Sequence, residues 1–174
     1  MSDQHEIKEH VTVTEITPKI ITRKENQIGW LIINNPERRN AVSLAMWQAI
    51  PEVIADFEAD HEVRVIVLTG AGGKAFAAGA DISEFDQVRN STANVAHYNA
   101  QVDQANAAIE ATKKPTIAMI RGVCVGGGVR IALNCDLRLC AEDARFAVPA
   151  AKLGLGYGRI GLKQLVDLVG PSYT

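Results

Sequence analysis

The sequence lacks the residue groupings that mark most competing chemistries. Its histidines, His5, His10, His61 and His97, stand apart from each other and from the cysteines, so neither HExxH nor a Cys/His ligand set exists and no metal is expected. Cys124, Cys135 and Cys140 form no CxxC pair and are odd in number; they read as reduced thiols filling a core. No GxSxG elbow marks a hydrolase serine. No apolar run is long enough to span a bilayer, and the polar start MSDQHEIKEHVTVTE lacks a signal peptide's apolar stretch. A soluble, cytoplasmic chain without a membrane partner is expected. Lys and Arg are scattered, the net charge is −2 and only 5% of residues are aromatic, so the basic-aromatic interleaving of a nucleic-acid surface is missing and no such partner is expected.

What is present suits one packed domain: 174 residues, 47% of them apolar, enough to bury a core. Residues 1–18 are polar and end at Pro18, which predicts a poorly ordered extension ahead of a core domain over 19–174. Strands are predicted at Ile20–Arg23, Ile28–Ile33, Val63–Thr69, Thr116–Arg121 and Asp136–Ala141. Ser43 predicts the N-cap of a helix to Ala59, with Leu44, Trp47, Ile50, Val53, Ile54 and Phe57 at helical spacing and a kink or break at Pro51. Further helices are predicted at Ala93–Thr112, Gly126–Asn134 and Gly161–Val169, with shorter turns after Asp81 and Pro149. Strands alternating with helices predict a layered α/β fold with mostly parallel pairing.

Two glycine-rich segments stand out: Ala75-Phe76-Ala77-Ala78-Gly79-Ala80-Asp81-Ile82, where a loop opens into a helix, and Gly122-Val123-Cys124-Val125-Gly126-Gly127-Gly128, where a strand does. Neither fits GxGxxG in phase, and Gly70-Ala71-Gly72-Gly73-Lys74 lacks the spacing and hydroxyl of a P-loop. Small residues let a ligand approach the backbone, and two N–H groups aimed at one point stabilise charge developing on a carbonyl oxygen. Tight turns and close strand–helix packing explain the same glycines equally simply.

In this order the two segments resemble the crotonase, or enoyl-CoA hydratase/isomerase, superfamily from about Ile20 to Thr174. Asn35-Pro36 followed by Asn40-Ala41, Lys114-Pro115 and Cys135-Asp136 carry the resemblance further. It implies a spiral of ββα units and an enzyme, a lyase or isomerase acting on acyl-CoA thioesters. No permanently bound cofactor is implied, coenzyme A being part of the substrate. Position by position, it implies oxyanion-hole amides at Ala80 and Gly127, and backbone contacts to adenine around Ala78, Gly79 and Asp81. A CoA path along Ala41 is also implied, with Arg38 and Arg39 either meeting phosphates or standing as solvated loop charges. Assembly as a homotrimer or hexamer is implied where the family's C-terminal helices are present. A chain ending at Thr174 is expected to lack those helices and to expose apolar surface near 161–169.

The resemblance breaks where a hydratase carries its two glutamates. Arg130 stands at the first position and Ala150 at the second. Arginine stays protonated and cannot serve as a general base, and alanine transfers no proton, so two-glutamate hydration is not expected. Tyr157 resembles the methylmalonyl-CoA decarboxylase branch, although that branch has an acidic residue in place of Arg130 and a histidine in place of Ala80. Arg130 or Arg159 could hold a substrate carboxylate; alternatively Arg130 pairs with Asp136 or Glu142, and Tyr157 simply packs. Glu84 and Asp86 either lean toward the acyl site or remain surface charges. The expectation is therefore an acyl-CoA enzyme stabilising a thioester enolate, with decarboxylase-like activity or a non-catalytic acyl-CoA-binding or assembly subunit as alternatives.

Overall fold

In the computed structural model, which describes residues 12–154 and 156–174, the β-branched runs pair into one six-stranded sheet. Its strands are β1 (Thr12–Thr17), β2 (Ile20–Glu25), β3 (Ile28–Ile33), β4 (Val65–Gly70), β6 (Thr116–Ile120) and β8 (Leu137–Cys140), in the order β1-β2-β3-β4-β6-β8. The two pairs formed by β1–β2 and β2–β3 are antiparallel hairpins, and the remaining pairs are parallel. Three short strands, β5 (Ala75–Ala77), β7 (Val123–Val125) and β9 (Arg145–Ala147), make a second, wholly parallel sheet in the order β5-β7-β9. β4, β6 and β8 of the large sheet are thus each followed by one strand of the small sheet and then by helix. This is the crotonase spiral of ββα units, an α/β fold.

The helices are α1 (Leu44–Ala59), α2 (Phe85–Val88), α3 (Thr92–Ala111), α4 (Gly127–Leu133) and α5 (Arg159–Val169). Ser43 caps α1 by accepting from Met46 N at 3.3 Å, and the Met46 sulfur accepts from Ser43 N in return. The helix runs through Pro51 without the break that was one of the two expected outcomes. Met46, Trp47, Ala49 and Ile50 are buried before the proline and Val53, Ile54 and Phe57 after it. Burial of two apolar groups in one core outweighs the roughly 3 kcal/mol that proline costs a helix interior. Lys114 closes the other end of α1, its ammonium donating to the carbonyls of Phe57 and Asp60.

Two expectations need correction. Thr12–Thr17, inside the stretch read as a polar extension, is an edge strand paired with β2; its exposed, Thr-rich faces carry no core signal. The extension's first residues, 1–11, lie outside the described ones. Cys124 and Cys135 are buried, but Cys140 is exposed on outer strand β8 and fills no core. Burial pushes the Cys124 and Cys135 thiols up to about 12, which leaves them inert near neutral pH.

Candidate active site

The loop after β3 is held by two buried asparagines. Asn40 adopts φ +57°, a left-handed conformation that asparagine tolerates, and its side chain makes three contacts. Its Oδ1 accepts from Asn35 N at 2.9 Å, while Nδ2 donates to Ala71 O at 2.9 Å and Ala75 O at 2.7 Å. Asn35 Nδ2 donates to Ala41 O at 2.8 Å. This clip ties the loop to the start of β5 and so fixes where the first glycine-rich segment runs. Beyond it, Asp81 Oδ1 caps the following turn by accepting from Ser83 N, and also accepts from Arg38 Nη1, both at 3.1 Å. Burial alone would raise the Asp81 carboxyl, but hydrogen bonds from Ser83 and the charges of Arg38 and Lys19 hold it below its ordinary value.

Val42 forms a parallel bridge to Ala80: Val42 N donates to Gly79 O at 2.7 Å and Asp81 N donates to Val42 O at 2.9 Å. That pattern passes over the amide of Ala80, which has no acceptor among the described residues. At the second segment Gly126 N donates to Ala147 O and Arg130 N to Gly126 O, which leaves the Gly127 amide equally without an acceptor among the described residues. The segments touch. Gly79 has φ +98°, and a Cβ there would lie 3.6 Å from Gly127 N. A Cβ on Gly128 would come within 2.3 Å of Ala77 O, so only glycine lets α4 lie this close to β5. Measured the other way, a Cβ on Gly127 would sit 3.7 Å from Ala80 N and 3.1 Å from the Trp47 ring.

A cavity of about 350 Å³ opens beside Gly127, lined by Arg89, Asn99, Asp103, Arg130 and Tyr157 among others. Arg130 Nη2 pairs with Asp103 Oδ1 at 2.8 Å, and Arg130 Nε is buried with no acceptor among the described residues. Tyr157 donates its hydroxyl to Gly126 O at 3.4 Å. Burial pushes that hydroxyl above its ordinary value despite the opposing charge of Arg130, so it stays protonated and able to donate at neutral pH. Behind the cavity, Trp47 Nε1 donates to the buried Tyr98 hydroxyl at 3.2 Å, and Tyr98 meets Phe85 edge-on with centroids 6.1 Å apart. The Arg89 guanidinium lies 4.9 Å from the Phe85 ring centroid and 5.3 Å from that of Tyr98.

Gly127, Arg130 and Tyr157 therefore line one cavity, and Ala80 lies against Gly127 at its side without lining the cavity itself. Ala78, Gly79 and Asp81 flank Ala80 directly. Ala41 is buried, with its carbonyl taken by Asn35, and Arg38 is engaged by Asp81, whereas Arg39 is exposed. The carboxylate partner of Arg130 is Asp103 on α3, not Asp136 or Glu142. Asp136 instead accepts from Thr116 N and Thr116 Oγ1, both at 2.8 Å. Glu84 does not lean into the cavity: its Oε2 accepts from Leu44 N at 3.1 Å, satisfying an amide at the start of α1. Neither Ala150 nor Arg159 lines the cavity. Arg89, Asn99 and Asp103 were not anticipated; Asn99, Val102 and Asp103 recur at the i, i+3, i+4 spacing of one helix face, the signal that placed them together. No group of three or more His, Cys, Asp or Glu that could hold a metal occurs among the described residues. Nor is any helix among them long and apolar enough to cross a membrane.

A profile of the enoyl-CoA hydratase/isomerase family matches residues 23–174. The chain is 36% identical over 151 residues to a short-chain-enoyl-CoA hydratase of Clostridium acetobutylicum, covering 87% of this chain and 57% of the relative. It is 35% identical over 153 residues to a crotonyl-CoA hydratase of Syntrophomonas wolfei, covering 88% and 58%. Among solved structures, an enoyl-CoA hydratase/isomerase family protein from Hyphomonas neptunium superposes with a TM-score of 0.87 at 41% identity, covering 92% of this chain and 61% of that one. The chain thus spans less than two-thirds of the length of each of these relatives. With the spiral of ββα units, the two apposed glycine-rich segments and these matches all in agreement, the chain belongs to the enoyl-CoA hydratase/isomerase family.

Proposed function

We propose that residues 19–174 form the acyl-CoA-binding core of a crotonase-type lyase or isomerase, in which the N–H groups of Ala80 and Gly127 receive the thioester oxygen. The observation that carries this reading is the pair of amides, both without an acceptor, brought together by Gly79 and Gly128. Two such donors stabilise the oxyanion of an enolate, and their preorganisation requires no rearrangement as the charge develops. CoA would run past Ala41, Ala78, Gly79 and Asp81, with exposed Arg39 available to a phosphate and Arg38 already neutralised by Asp81. The cytoplasm, and a trimer or hexamer of the whole protein, complete the proposal.

Hydration through two carboxylates does not suit the cavity, whose one lining carboxylate among the described residues, Asp103, is bound to Arg130. Enolate chemistry that needs a proton donor rather than a base fits better, and Tyr157 supplies a protonated hydroxyl next to Gly126. Decarboxylase-like activity is the second catalytic reading, favoured by Arg130 and Tyr157 lining the same cavity. A binding subunit without turnover is the third, favoured by the absence of a free carboxylate among the described lining residues.

The test is to offer the full chain a panel of acyl-CoA thioesters and follow products by mass spectrometry, with Gly127→Ala in parallel. The added Cβ would crowd both the Trp47 ring and the Ala80 amide. A loss of about 10²-fold in turnover, with CoA still bound, is expected from spoiling one donor. Binding of CoA with turnover of none of the thioesters would establish the subunit reading instead. Rapid hydration of crotonyl-CoA would overturn the conclusion drawn from positions 130 and 150.

A further inference from the structure

The charge in the cavity beside Gly127 is more than an oxyanion site requires. Among the described residues, two guanidinium groups, Arg89 and Arg130, line it against a single carboxylate, Asp103. Asp103 engages Arg130 through Nη2 only, and 63% of the Asp103 side chain is exposed, so much of its charge is spent on water. The Arg130 side chain is only 18% exposed, and its Nε lacks an acceptor. Arg89 lies against the Phe85 and Tyr98 rings, and no carboxylate among the described residues pairs with it. Rings hold the cation by one face of the guanidinium while leaving its N–H edge for an acceptor. A plain hydrocarbon chain filling this space would strip water from two cations and offer no hydrogen-bond acceptor in return, which is unfavourable.

From this we infer that the acyl group taken by this site carries a carboxylate at its far end, received by Arg130 and Arg89 with Asn99 and the Tyr157 hydroxyl beside them. The inference rests on the thioester-site reading above and specifies its substrate class: the CoA thioester of a short dicarboxylic acid. The planar donor fork of arginine matches a carboxylate's two oxygens, whereas a neutral acyl end has nothing to match. A cavity of about 350 Å³ has room for an acyl chain of a few carbons together with that group. Arg130, which removes the family's first glutamate, thereby acquires a binding role.

Two unreactive ligands of equal carbon count separate the possibilities: S-(2-oxopentyl)-CoA and S-(4-carboxy-2-oxobutyl)-CoA, which differ only in a terminal methyl or carboxylate. Their affinities for the full chain, and that of CoA itself, are measured by titration calorimetry. The carboxylated ketone should bind about tenfold or more tightly than the neutral one, the size of one charged hydrogen-bonded contact. Arg130→Gln and Arg89→Gln should each shrink that ratio, chiefly by weakening the carboxylated ketone. Equal binding of the two ketones, both tighter than CoA, would overturn the carboxylate inference and leave the thioester reading intact. A preference that survives both substitutions would overturn its assignment to these arginines. Failure of both ketones to exceed CoA, or no CoA binding at all, would overturn the thioester reading and the inference with it. The wild-type ratio decides the substrate class even if a variant does not fold.

Discussion

The half of the molecule built on β2, β3, β4 and α1 differs sharply from the half built on β8, β9 and α5. In the first, Ile20, Leu31, Ile33, Ile66 and Leu68 meet Trp47, Ile50 and Phe57 in one core from which water is excluded. In the second, Leu137, Leu139, Phe146, Leu162 and Leu168 are exposed, and an apolar groove of about 630 Å³ runs between α4 and α5. Both halves supply residues to the site, Ala80 and Trp47 from the side of the core, Arg130 and Tyr157 from the side of the groove. The comparison teaches that the two free amides proposed as an oxyanion hole and the cavity beside them have unequal support. Ala80 is fixed by the Val42 bridge and the asparagine clip, while Tyr157 is fixed by one long hydrogen bond and contact with Gly161.

The contrast can be broken most forcefully at Phe57. Phe57→Ala removes a fully buried ring and should cost about 4 kcal/mol in urea or thermal unfolding, because the core around it cannot collapse completely. An effect under about 1 kcal/mol would mean that this half is no firmer than the other. Asp136, at the seam where β8 joins β6, gives a smaller effect that depends on pH. Hydrogen bonds from the Thr116 amide and then its hydroxyl hold the Asp136 carboxyl below its ordinary value. A depressed folded-state pKa contributes stability that is fully present above the unfolded value, 3.8, and is lost as pH falls through the folded value. The urea midpoint of Asp136→Asn should therefore lie below that of wild type at pH 7, and the gap should narrow as both are acidified. A gap independent of pH would remove the carboxylate from the account. Least of all should happen at Leu168→Ser on α5, where the side chain is already at the surface: stability should stay within about 0.5 kcal/mol, and light scattering at high concentration should fall or remain the same.

Long elements were legible in the sequence because their periodicity was long enough to register. The parallel strands of the large sheet, the Ser43 cap and the course of α3 follow from local pattern. The small sheet mostly does not: β7 is legible as a strand opening into a helix, but β5 and β9 have three residues each, too few for alternation to show, and Ala75–Ala77 has no β-branched residue at all. Pro51 does not break α1 because proline's cost is local while the burial that offsets it comes from both flanks of the helix. At the site, the small-residue segments announced themselves, since close approach of backbone demands glycine whatever the surroundings. The partner of Arg130 did not, because Asp103 lies 27 residues away on another helix and only packing brings the two together. Arg89 was hidden for the same reason, its place being set by the rings of Phe85 and Tyr98.

The position of Trp47 has an optical consequence. The chain has two tryptophans, and they occupy unlike surroundings: Trp47 lies against Gly127 and donates to Tyr98, while Trp30 on β3 stacks under the Arg23 guanidinium, 4.8 Å from the ring centroid. Replacing Trp30 with phenylalanine would leave one emitter against Gly127, its colour and quenching reporting directly on whatever arrives between the two amides.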